Sequence, residues 1–136
     1  MHKKDCIFCN IIKGEIDSYK VYEDKRVYAF FDTNPINEYH TLVIPKNHYQ
    51  DIFDIPEEEL VAVIKATKKI ANIYKEKLEV NNLQIFSNSG AKAEQDVFHF
   101  HMHIVPREEN DGQDINWSTK PELQEKFDQL IEKLDN

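Results

Sequence analysis

Apolar and polar positions recur with two different periods along this chain, and the change of period marks its elements. Segments 19–23 and 26–31 are short runs rich in tyrosine, valine and phenylalanine, joined at Asp24-Lys25, which predicts a β-hairpin. The cluster Asp32-Thr33-Asn34-Pro35 stops the second strand. TLVIP at 41–45 predicts a third strand, 83–88 a fourth and 97–105 a fifth, with a polar loop at 89–96 before the last. Pro56 opens a helix with Glu57, Glu58 and Glu59 in its first turn, where the helix dipole favours negative charge and the face reads as solvated. Leu60, Ile64, Thr67, Ala71, Tyr74 and Leu78 then recur at three- and four-residue spacing, which predicts an amphipathic helix of roughly 22 residues. A single helical turn at 7–13 ends at Gly14. Near the other end Thr119 and Glu122 match a capping box, and Leu123, Phe127, Leu130 and Leu134 form the stripe of a terminal helix. Trp117 reads as a packing residue. One long helix, one terminal helix and an antiparallel meander define an α+β fold.

Composition narrows this picture. A chain of 136 residues is expected to form one domain, 1–136, with a core large enough to need no disulfide framework. The formal net charge of -8 gives no electrostatic help toward polyanions, so nucleic acid and anionic membrane are not the expected partners. No run approaches the ~18 apolar residues of a membrane span, and no apolar leader follows Met1, so the cytoplasm is the expected compartment. The two cysteines stand as Cys6-x-x-Cys9, a spacing that in a reducing compartment suggests a metal site or a redox pair rather than a structural disulfide. A thioredoxin-type redox pair would need a strand-to-helix context that this segment lacks.

The chemistry is concentrated in HFHMHIVPR at 99–107. Strand side chains alternate between faces, so His99, His101 and His103 share one face while Phe98, Phe100, Met102 and Ile104 share the other. The apolar face should pack on the long helix and the imidazoles should look into a cleft or solvent. Three adjacent imidazoles crowd like charges when protonated and contribute nothing to packing, so stability gives no reason for them. One metal ion held by all three is excluded by distance, because the outer two lie ~13 Å apart on an extended strand and zinc–nitrogen bonds are ~2.0–2.1 Å. Covalent chemistry through the middle residue fits better. Neutral imidazole is a competent nucleophile near pH 7, and its neighbours can donate hydrogen bonds or protons to a phosphate and its leaving group.

HFHMHIV matches the His-φ-His-φ-His-φ-φ signature, with φ apolar, of the histidine-triad family, and the chain resembles that family over nearly its whole length. The shared stretches are CIFCNIIKGEI, VYAFFDTNP, HTLVIPKNHY, SNSG and HFHMHIVPR. The likeness is to the small bacterial-type members with a zinc site and to the branch of nucleoside phosphoramidases and purine-nucleotide-binding proteins. It implies a five-stranded antiparallel sheet packed against one long helix, plus a C-terminal helix, with 1–14 a zinc-binding segment and 107–136 a tail and helix. It also implies His101 as the nucleophile that becomes nucleotidylated, His103 in contact with the phosphate and His40 supporting the triad from the neighbouring strand. Asp32 would accept hydrogen bonds from the ribose hydroxyls, Phe30 and nearby apolar side chains would flank the base, and Asn88 and Gln95 would sit beside the phosphate. Read by itself, Asp32 serves equally well as the cap of the turn before Asn34-Pro35. Cys6 and Cys9 with His48 and His99 would complete a structural zinc set, so His99 belongs to the triad and the metal alike. Members of the family are usually homodimers joined through the long helix and strand edges. In one place the chain departs from the family: the common Gly-Gln-Ser or Gly-Gln-Thr before the triad is here Glu94-Gln95-Asp96, which replaces a closely approaching glycine and a hydroxyl donor by a side chain with a Cβ and a carboxylate.

The expected function is therefore hydrolysis of a nucleoside monophosphate, AMP above all, from an amine, an acyl group or a second nucleotide attached through phosphorus. Two other classes compete with it: a nucleotide-binding regulator with negligible turnover, and a nucleotidyl transferase, whose relatives have longer chains. Lys92 and Arg107 read as solvated cations within reach of a phosphate.

Overall fold

The computed structural model describes residues 3–135. Helix α1 (Ile7–Ile12) is followed by the hairpin β1 (Lys20–Glu23) and β2 (Val27–Phe31), then β3 (Thr41–Pro45), the long helix α2 (Glu57–Leu78), β4 (Leu83–Phe86), β5 (Met102–Pro106) and α3 (Phe127–Leu134). The five strands form one antiparallel sheet in the order β1-β2-β3-β5-β4. The hairpin turn is held by Asp24, whose Oδ1 accepts from the amides of Arg26 and Val27 at 2.8 Å each.

The middle of the sheet is covered on both faces, which explains why β2 and β3 read as continuous apolar runs. Val27, Ala29, Val43, Phe100 and Ile104 pack on one side against Val63, Ala66 and Ile70 of α2. Tyr28, Phe30, Leu42 and Ile44 point the other way and pack with Phe8 and Ile11 of α1. The two-residue alternation of each strand thus sorts its side chains into two cores, and the second core is the floor of the site.

The buried face of α2 overlaps the stripe its spacing suggested but is turned from it: of the expected residues Thr67 and Tyr74 are buried and Leu60 and Leu78 pack against the core. The buried face is Glu59, Val63, Ala66, Thr67, Ile70 and Tyr74, while Ile64 is exposed. Apolar residues occupy more than one side of this helix, so the periodicity admits two stripes, and only contact with the sheet decides between them. Val61, Ile64 and Ile73 are left exposed, on more than one side of the helix. Glu59 is a second correction. It is buried rather than solvated, and its Oε1 accepts from Asn47 Nδ2 and the Tyr49 hydroxyl at 3.1 Å each, which ties down the segment carrying His48.

The fifth strand is shorter than the 97–105 expected. The ladder with β3 runs only from Thr41↔Ile104 to Val43↔Met102. Before Met102 the chain is held by other means: the Phe100 amide donates to the Tyr49 carbonyl at 2.6 Å, and the Pro45 carbonyl is taken by a side chain, His99 Nε2 at 2.8 Å. At the C-terminal end the first turns are a 3-10 helix (Pro121–Lys126) without a side-chain cap, so the Thr119–Glu122 capping box is not formed. Leu123, Phe127, Leu130 and Leu134 are exposed, and Trp117, expected to pack, is 87% exposed. Among those residues no helix is long and apolar enough to cross a membrane.

Candidate functional site

Four residues from three segments meet beneath the first histidine. Cys6 precedes α1 as its N-cap, Cys9 lies within α1, His48 follows β3 and His99 lies ahead of β5. His99 Nδ1 stands 3.4 Å from Cys6 Sγ and 3.5 Å from Cys9 Sγ, and His48 Nδ1 stands 3.5 Å from Cys9 Sγ. A tetrahedral ion with ~2.3 Å bonds to sulfur and ~2.05 Å bonds to nitrogen has S···N edges of ~3.6 Å, so this spacing fits one metal ion. The four ligand atoms all lie within 4.8 Å of one another. Burial pushes the Cys6 thiol up to about 11, and a cation here would supply the positive charge that thiolates need in a desolvated place. His99 Nε2 faces the Pro45 carbonyl, so it carries the proton and leaves the Nδ1 lone pair to the sulfurs and the ion.

The other two triad histidines line an open cavity, and their neighbours fix the tautomer of each. His101 Nδ1 lies 2.7 Å from the carbonyl of His99, an acceptor, so Nδ1 is the donor and Nε2 keeps its lone pair. For His103 the reasoning starts two residues away. The Ile36 amide donates to His40 Nδ1 at 3.0 Å, so neutral His40 carries its proton on Nε2. That proton points at His103 Nδ1, 2.9 Å away, and His103 therefore presents Nε2–H as a donor. Burial, with the neighbouring imidazoles of His101 and His40 adding to it, holds His103 down at about 4, and burial also lowers His40. Both are neutral at physiological pH, as this hydrogen-bond chain requires. Asp32, His40 and His103 also cluster closely enough to be considered for a metal, but the His40 and His103 nitrogens that face each other are already paired.

The cavity has a volume of about 600 Å³ and is lined by Phe8, Phe30, Leu42, Asp32, His101 and His103 among others. Its aromatic and aliphatic wall is the second core seen from inside. Asp32 divides its two oxygens between two tasks: Oδ1 accepts from the Asn34 amide at 2.8 Å and caps the turn, while Oδ2 stands 3.5 Å from His40 Nε2. Asn88 and Gln95 do not line this cavity. Gln95 is buried and acts within its own loop, donating from Nε2 to the carbonyls of Gln50 and Val97 and accepting the Gly90 amide. Glu94, where the family pattern has glycine, has φ +70. That left-handed conformation costs a non-glycine residue roughly 1 kcal/mol, which is the physical reason for glycine there. Asp96 reaches over the middle histidine of the triad, with Oδ1 3.7 Å from His101 Nε2.

Several contributors were not anticipated. The Ser87 hydroxyl donates to the His101 carbonyl at 2.7 Å and pins the segment just ahead of β5. Phe86, opposite His103 in the β4–β5 register, stacks on its ring at 4.5 Å and 12°. Phe8 meets the rings of His99 and His101 edge-on at 5.8 and 5.1 Å. Arg107, expected to be solvated, is instead anchored to Asp111 by Nε and Nη2 and to Gln84 by Nη1. It holds the start of the tail and leaves the cavity without it, while its guanidinium keeps the Asp111 carboxyl far below the usual range.

A sheet of this order, with three alternating histidines on the side opposite its long helix, two of them lining a cavity, is the architecture of the histidine-triad proteins. The model for the HIT domain matches residues 13–110, and the chain belongs to the HIT family. A HIT family protein from Bacillus anthracis is 40% identical and superposes with a TM-score of 0.88, covering 98% of this chain and 96% of its own. The adenosine 5'-monophosphoramidase HNT1 of Candida albicans is 38% identical over 136 aligned positions, 95% of this chain and 88% of that protein. A Zn-bound histidine triad family protein from Mycobacterium smegmatis is 32% identical with a TM-score of 0.77, covering 95% of this chain and 97% of its own.

Proposed function

We propose that this chain hydrolyses a purine nucleoside monophosphate, AMP first among them, from a leaving group joined through phosphorus, by way of a nucleotidyl intermediate on His101. The observation that carries this reading is the free lone pair of His101 Nε2 at the wall of the cavity, its tautomer held by the His99 carbonyl. Attack by Nε2 on phosphorus forms the N–P bond as the bond to the leaving group breaks, and the leaving group departs with that electron pair and takes up a proton. Water then attacks the same phosphorus, the N–P pair returns to His101, and the monophosphate is released. His103 Nε2–H donates to a phosphoryl oxygen, steadied by His40. Phe30 and its apolar neighbours flank the base, and Asp32 Oδ2 accepts from the ribose. The HNT1 relative, an adenosine 5'-monophosphoramidase, supports the same class of substrate.

Cys6, Cys9, His48 and His99 hold structural zinc in this reading, and the Zn-bound relative supports the choice of metal. A closed four-ligand site supplies a cross-link and no chemistry. The chain acts in the cytoplasm as a two-fold dimer through α2 and the free edge at β4, in keeping with exposed Val61, Ile64 and Ile85. Sedimentation equilibrium at micromolar protein is expected to give twice the monomer mass, and a monomer throughout that range would overturn the dimer.

Asp96 beside the nucleophile favours one competing role, a nucleotide-binding regulator with negligible turnover. Rapid mixing with an adenosine phosphoramidate, an acyl adenylate and a dinucleoside polyphosphate separates the two. The hydrolase shows a stoichiometric burst of leaving group followed by steady turnover, with specificity constants that rank the three. Nucleotide binding without any burst would make it the regulator.

A further inference from the structure

We infer that Asp96 is a specificity-determining residue that selects leaving groups carrying a positive charge, an alkyl ammonium next to the scissile P–N bond being the ligand chemistry it fits. The inference rests on the hydrolase reading above and deepens it. Asp96 Oδ1 lies 3.7 Å from His101 Nε2, the atom that would bond to phosphorus, so whatever is joined to that phosphorus passes close to this carboxylate. The side chain is 80% exposed, and among the described residues its one ion-pair partner is His101. An ionised carboxylate accepts hydrogen bonds and donates none, so it cannot take over the phosphate contact that a hydroxyl at this position would make.

The rest of the cavity has the same bias. Asp17, Asp32 and Asp96 line it, and no described lysine or arginine does. Arg107, read from the sequence as a solvated cation within reach of a phosphate, does not line the cavity and is engaged by Asp111 and Gln84. The loop that carries Asp96 is also held: the Gln95 side chain, 5% exposed, fixes its backbone through Gly90, Gln50 and Val97. A monoanionic phosphoramidate with a cationic arm brings its own counter-charge to such a place, whereas an anionic leaving group adds a second like charge.

The test uses three adenosine 5'-phosphoramidates of similar size whose amines are 2-aminoethylammonium, 2-hydroxyethyl and carboxymethyl: cationic, neutral and anionic. Asp96 is exposed, and Asp96→Asn is nearly isosteric. For the unaltered protein kcat/KM is expected to fall in the order cationic, neutral, anionic, with roughly tenfold between the extremes, the scale set by two exposed charge contacts of opposite sign. The span should shrink as salt is raised through the range where the Debye length falls below ~8 Å. In Asp96→Asn it should collapse to about twofold while the adduct still forms on His101. A flat or inverted ranking in the unaltered protein, or the same ranking in Asp96→Asn, overturns the inference and leaves the hydrolase reading standing. A magnesium-dependent preference for a dinucleoside polyphosphate that Asp96→Asn abolishes would also overturn it, by giving the carboxylate to a metal ion. Failure of both proteins to turn over any of these substrates overturns the hydrolase reading and the inference together.

Discussion

Replacing His101 by alanine or asparagine is expected to lower turnover about a thousandfold or more, ~4 kcal/mol of transition-state stabilisation, while AMP affinity changes only severalfold. The split follows from what the side chain touches. Its Nδ1–H bonds the His99 carbonyl, and its Nε2 faces the cavity with only the exposed Asp96 carboxylate beside it, 3.7 Å away. The binding surfaces at Phe30, Leu42 and Asp32 lie on other strands or turns and stay in place. Asparagine is the sharper probe because its amide can still donate to the His99 carbonyl, so the segment keeps its fastening and loses only the nucleophile. Mass spectrometry of the unaltered protein after a quench without acid should find the nucleotide on His101. An adduct on His99 or His103, or an active His101→Asn protein, would assign the chemistry to the wrong imidazole.

Removing the metal should act mainly on stability. Stripping zinc with a chelator, or Cys9→Ser, is expected to cost about 3 kcal/mol and lower Tm by roughly 10 °C. The loss is partial rather than complete because two packed cores exist without the ion, unlike a zinc finger. It is large because the four ligands join α1, the segment after β3 and the segment before β5, which lie far apart in the chain. His101 adduct formation per folded molecule should change much less than Tm. Elemental analysis finding no zinc in protein prepared without chelator, or a chelator that leaves Tm unmoved, would remove the metal from the account.

The sheet was readable in the sequence because its signal is local. A short apolar run places 41–45 correctly, and two-residue alternation sorts His99, His101 and His103 onto the face away from Phe100 and Ile104. Where legibility failed, the deciding partner was remote. The true face of α2 depends on which of two apolar stripes meets the sheet, and the role of Glu59 depends on a loop twelve residues away. The fifth strand starts late because His99 takes the Pro45 carbonyl, a side-chain substitution for a ladder bond that no propensity encodes. The metal set is drawn from positions 6, 9, 48 and 99, whose separation in the chain leaves no period to detect, and only the family resemblance assembled it. Gln95 and Arg107 look like phosphate ligands by type, yet both satisfy their hydrogen bonds within neighbouring loops and strands. The apolar residues of α3 were correctly patterned as a stripe, but a stripe says only that a helix is amphipathic and not what covers it.

The run of hydrogen bonds from the Ile36 amide through His40 to His103 has a direction, and the direction limits what it can deliver. Each imidazole receives a proton's partial charge on one nitrogen and offers it on the other, so the run strengthens the donor at His103 Nε2. It cannot surrender that proton cheaply. The source end is a peptide N–H, which does not ionise, and a group held at about 4 is protonated in only about one molecule in a thousand at pH 7. The triad's third histidine is therefore built as a fixed electropositive stop rather than as an acid reservoir. In the proposed hydrolysis the proton that the departing group takes would then travel by another route, from solvent at the open mouth of the cavity or from the substrate itself.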